Sequence, residues 1–112
     1  MFLQPQSKIP ELLDGLANGG YRIIDQYLVA EAGKIYTIFE AAPGEMESPM
    51  GGHRYISRPL LERGDPLLGP YLAELCDRFN RVVQSLGQTE EAAEKRSDFA
   101  GILADFERWR GV

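Results

Sequence analysis

One cysteine, Cys76, and one histidine, His53, are all that the 112 residues hold of either type. A lone cysteine excludes an intramolecular disulfide, and with it a disulfide-stapled secreted scaffold. The two together fall short of the four Cys/His ligands of a structural zinc site. No Asp-x-Asp-x-Asp-Gly calcium loop occurs either, so neither a metal nor another cofactor is expected. Apolar runs are short, as at Tyr27-Leu28-Val29-Ala30, whereas a membrane span needs about 20 residues. The first residues show no basic stretch followed by an apolar run, so no secretory signal is read and a cytoplasmic protein is expected. Positive charge is scarce as well. Twelve Lys+Arg against 17 Asp+Glu give a net charge of −5. A phosphate backbone rewards excess positive charge, so a nucleic-acid partner is disfavoured.

The 44% hydrophobic residues exclude a disordered chain and predict one compact domain over 1–112. Ile9, Leu12, Leu13 and Leu16 fall at helical spacing, and Pro10 suits a first turn, so a short helix is predicted over 10–18. Asn18-Gly19-Gly20 ends it. Residues 21–30 and 34–39 are rich in β-branched and aromatic types and predict an antiparallel hairpin. Glu31-Ala32-Gly33 reads as a three-residue loop between them. Alternation along 21–30 is imperfect: Tyr21, Ile23, Tyr27 and Val29 share one parity, Ile24 and Leu28 the other. A sheet with one face in water alternates more cleanly, so partial cover of the second face is inferred.

Residues 41–52 form an acidic loop with Met46 and Met50, and 52–57 are read as a third strand ended by Arg58-Pro59. A capped turn is expected at Asp65-Pro66-Leu67-Leu68. Two longer amphipathic helices follow. The first runs from Gly69/Pro70 to about Ser85, with Tyr71, Leu72, Leu75 and Phe79 in its stripe. The second spans about 90–110, capped by Thr89 and stopped by Gly111, with Ala92, Phe99, Ile102, Phe106 and Trp109 inward. The fold class is α+β: N-terminal helix, antiparallel hairpin with a third strand, and two C-terminal helices packed on the sheet. Such a small sheet leaves an open edge, which makes a homodimer a reasonable expectation.

Chemistry is sought first in 51–58. If that segment is extended, His53, Tyr55 and Ser57 project from one face, and Arg54, Ile56 and Arg58 from the other. His53, Arg54, Tyr55 and Arg58 are the candidate ligand-binding residues; no catalytic set is assigned. The plainer alternative has the glycines making a turn, Tyr55 and Ile56 packing, and the arginines solvated or paired with local acids. Charge is uneven along the chain. Residues 51–86 carry five bases, all arginine, against four acids, while 1–50 carry seven acids against three bases. Arg54, Arg58, Arg63, Arg78 and Arg81 suit bidentate pairing, with a partner or with the protein's own carboxylates. Cys76 lies mid-helix and reads as a small packing residue.

Three functions compete. The leading expectation is a small accessory module acting through protein–protein contacts, with another protein or a second copy as partner. The alternative is a small enzyme or ligand-binding domain for an anionic metabolite, with His53 as acid/base and Arg54 or Arg58 as anion clamp. An acidic mimic of nucleic acid is the third.

Overall fold

A computed structural model describes residues 1–5 and 8–110. The class is α+β, in the order β1 (Phe2–Leu3), α1 (Ile9–Asn18), β2 (Tyr21–Glu31), β3 (Lys34–Pro43), a 3-10 turn (Gly51–Arg54), α2 (Arg58–Arg63), α3 (Leu68–Ser85) and α4 (Glu90–Trp109). The chain divides into two compact units, Met1–Leu68 and Gly69–Val112. Among the described residues, no helix is long and apolar enough to cross a membrane.

The first unit is built on a three-stranded antiparallel sheet in the order β1-β3-β2. The third strand is therefore Phe2–Leu3, paired with Glu40 and Phe39, and not the 52–57 segment expected from the sequence. That segment turns instead. Ser57 accepts from the Leu60 N–H at 3.3 Å and caps α2, and Pro59 sits in the opening turn of that helix. Arg58-Pro59 thus begins a helix where it was expected to end a strand, because proline's missing N–H and fixed φ suit a first turn.

The hairpin loop is also tighter than expected. Glu31 pairs with Lys34, so only Ala32 and Gly33 lie between the strands. Both have positive φ, 53° and 79°, as the two-residue turn that matches strand twist requires. A bulge lies between Ile23 and Asp25, which pair with Ala41 and Glu40 respectively. It leaves Ile24 without an opposite number and explains the mixed parity. Across it, Ile23 shares the inner face with Gln26 and Leu28. On the other face Ile24 and Val29 stay 38% and 41% exposed. Cover there is partial: the Arg63 guanidinium lies 5.1 Å over the Tyr27 ring and Phe2 lies 6.4 Å from it.

α1 starts with Pro10 in its first turn and buries Ile9, Leu13 and Leu16 against Phe39 and Ala41. Leu3, Leu12, Ile23, Met46 and Tyr55 pack around this core.

In the second unit, α3 and α4 follow the expected stripes. Tyr71, Leu72, Leu75, Cys76 and Phe79 are buried on α3, and Ala92, Ile102 and Phe106 on α4. Phe79 lies 5.3 Å from Phe99 and 5.6 Å from Phe106, and Phe106 lies 6.3 Å from Trp109, all tilted. Such pairs add to the apolar burial. Thr89 caps α4 by accepting from the Ala92 N–H at 3.1 Å. The expected stop at Gly111 lies outside the described residues. Asp65 makes the expected turn, accepting from the Leu67 N–H at 2.9 Å.

Candidate functional site

Gln26 is the residue around which the first unit's surface is organised. It is fully buried in the middle of β2. A buried amide costs several kcal/mol unless its hydrogen bonds are made, and here each one is. Its Nε2 donates to Thr37 Oγ1 at 2.8 Å and to the Tyr55 carbonyl at 2.9 Å, and its Oε1 accepts from the Ser57 N–H at 2.7 Å. The 55–57 segment is thereby fastened to the sheet by its backbone.

Arg63, at the end of α2, makes a second fastening. It pairs with Asp25 at 2.5 Å, donates to the Gln26 carbonyl, and approaches Asp65 at 3.9 Å. Burial pushes the Asp25 carboxyl up, but the hydrogen bonds from Arg63 and the Gln26 N–H, with the charge of Arg63, outweigh it and leave the carboxyl below its ordinary value. Gly64, at φ 69°, closes α2 in the left-handed conformation that glycine takes most readily. On the outer face, the Tyr27 hydroxyl donates to Glu40 at 2.8 Å, and that carboxylate holds the phenol above its ordinary value.

These fastenings position a cavity of about 440 Å³. Leu13 of α1, Ile23 of β2 and Phe39 of β3 line it, with the Met46–Met50 stretch, His53, and Ser57 through Pro59. The His53 ring is fixed by Nδ1, which lies 2.9 Å from the Ile56 carbonyl and so carries the proton. Most of the lining is apolar; Glu47, Ser48, His53, Ser57 and Arg58 are the polar exceptions. A mostly apolar concavity with a few polar groups is the usual form of a small-ligand site.

Of the four candidate residues, the cavity takes two. His53 and Arg58 line it, whereas Tyr55 packs against the α1 core and Arg54 does not reach the lining. The expected two-faced strand is absent because 51–54 wind as a 3-10 turn. Among the described residues, self-neutralisation holds at Arg63 alone of the five arginines. Arg54, Arg58, Arg78 and Arg81 make no ion pair among the described residues. Cys76 is buried, and burial pushes its thiol up despite the nearby charge and hydrogen bond of Arg110, in keeping with a packing role. No group of three or more metal-ligating side chains occurs among the described residues. Gln26 was not singled out from the sequence. Its signal was the strand's one amide, of the same parity as Leu28.

No family model and no curated protein matches the chain. Solved structures do resemble it. One is a Streptococcus pneumoniae protein provisionally assigned as a tRNA (m1A22) methyltransferase: TM-score 0.75, 17% identity, 97% of this chain and 48% of that one. The same protein in complex with S-adenosyl-L-methionine gives TM-score 0.73 at 17% identity, over 97% and 46% of the two chains. The B. subtilis m1A22 tRNA methyltransferase TrmK gives 0.74 at 15% identity, over 97% and 50%. At these identities the likeness establishes the fold. The chain spans about half the length of the structures it matches. These neighbours overturn the expectation of a non-enzymatic accessory module. That expectation rested on the lack of a convergent catalytic set, on an open strand edge and on the loop that carries Met46 and Met50.

Proposed function

We propose that this chain is the substrate-side half of a two-part methyltransferase that modifies an adenine in tRNA. The observation that carries the reading is the match of nearly the whole chain to half of each tRNA methyltransferase structure. The other half supplies the methyl donor site, on the same polypeptide or on another. The donor is a nucleotide-like group, and such groups bind at a glycine-rich turn from a parallel strand into a helix. The residues present do not fit it. Every strand pairing among the described residues is antiparallel, and the β1–α1 connection contains no glycine. No catalytic step is therefore assigned to this chain.

Its part is to hold RNA. Arg54, Arg58, Arg78 and Arg81, without carboxylate partners among the described residues, suit phosphate oxygens. This reading departs from the expectation against nucleic acid, which rested on net charge. Net charge averages over an acidic N-terminal half and an arginine-bearing middle. The test is genetic. A methyl on adenine N1 blocks Watson–Crick pairing, so reverse transcriptase stops at it. Deleting the gene from its native cells should abolish one such stop in tRNA, and re-expression should restore it. An unchanged pattern of stops would overturn the reading.

A further inference from the structure

The cavity beside His53 has no role in the reading above. We infer that it receives a single unstacked nucleotide of the RNA, with an amino-bearing base inside and its phosphate on Arg58. The inference rests on the proposed function for the class of ligand, and on the cavity itself for the fit.

At about 440 Å³, the space lies within the range of small-ligand sites. Its walls suit a flat, weakly polar ring. Pro49 offers a rigid apolar face, and Met46 and Met50 offer polarisable ones that adjust to a ring's outline, while Phe39, itself buried, forms the floor beneath. Met50 is 81% exposed, an unusual position for a large apolar side chain, and one from which it can close over a bound base. His53 is held in place by its bond to the Ile56 carbonyl, so it is a fixed element of the wall. Unstacked bases are held in proteins by such stacking surfaces, with hydrogen bonds to the base edge.

The polar groups sort by what a nucleotide needs. Glu47 supplies an acceptor for an exocyclic amine. The Ser57 hydroxyl accepts from the Leu60 N–H and keeps a proton to donate to a ring nitrogen. Arg58 is exposed, lines the cavity, and forms no ion pair among the described residues, which suits a phosphate at the mouth. The lining also has a reason to be rigid on one side and adaptable on the other. Ser57 is fastened through Gln26, whereas the 45–50 stretch lies outside helix and strand.

The test is titration of the chain with adenosine 5′-monophosphate, read by NMR of the Met46 and Met50 methyl groups and the His53 ring. We expect saturable shifts at all three residues. Adenosine should give the same shifts with weaker binding, and ribose 5-phosphate should leave the methyl signals unmoved. Arg58→Ala should weaken the monophosphate about tenfold and leave adenosine unchanged. Ser48→Trp, another exposed position on the lining, should block both ligands. Methyl signals that stay fixed with the monophosphate, or inorganic phosphate acting as well as it does, would overturn the inference. Such a result leaves the tRNA stop assay standing, and a lost stop with an empty cavity separates the two readings.

Discussion

The two compact units are held together by different means. In Met1–Leu68, side chains from distant parts of the sequence meet as hydrogen-bond partners. Gln26 joins Thr37, Tyr55 and Ser57, and Arg63 joins Asp25. In the unit beginning at Gly69 the described pairs Arg108–Asp105 and Lys95–Glu91 lie within α4, and aromatic rings join α3 to α4. Polar fastening fixes a loop in one geometry, as a binding surface requires. Apolar packing supplies stability without fixing any one backbone group. The candidate site lies in the unit whose loop is fastened through the buried Gln26.

The sharpest way to break this comparison is Phe106→Ala. Loss of a buried ring should cost about 3–5 kcal/mol, and hydrogen exchange should show the protection of α3 and α4 falling first. Equal and simultaneous loss in the hairpin would show that the units do not respond separately. Gln26→Leu comes next. It strands the Tyr55 carbonyl and the Ser57 N–H, so about 2–3 kcal/mol is expected, with faster exchange of the Ser57 amide. A near-neutral melting temperature in that variant would count against the polar account.

Arg63→Ala should cost about 1–2 kcal/mol, as the side chain is a third exposed and its charge partly screened. The same pair predicts a pH effect. The Asp25 carboxyl is depressed in the folded state, so its contribution is present above the unfolded value of about 4 and lost as pH falls through the lower folded value. Asp25→Asn should flatten the acid side of a melting-temperature profile. The smallest change expected is a gain. Ala32 holds φ 53° without being glycine, and Ala32→Asn should stabilise the hairpin by about 0.5 kcal/mol in chemical denaturation.

Elements governed by local chemistry were legible in the sequence. Pro10, Thr89 and the paired stripes set α1, α3 and α4 within a residue or two, because caps and periodicity act over a few positions. The third strand was not. Two residues, Phe2 and Leu3, leave no periodic trace, and their partners lie near residue 40. The Tyr55-Ile56 pair looked like a strand because β preference reflects packing on a pleated surface, which these residues find while winding through a turn. His53 and Arg58 could be picked out as candidates by residue type. That they share a cavity, and that Tyr55 and Arg54 do not, depends on a 3-10 turn that alternation cannot describe.

The bulge at Ile24 has a consequence for how the cavity is dimensioned. Ile23 and Asp25 each keep a partner on β3, so Ile24 is surplus to the ladder, an inserted link. Removing that one link would leave every strand pairing in place and straighten the strand, since an extra residue bends a ribbon and tightens its coil. Ile23, on the cavity side of the bend, would swing with the straightened end. A one-residue deletion at Ile24 would thus move Ile23 against the rest of the lining while its side chain stays the same.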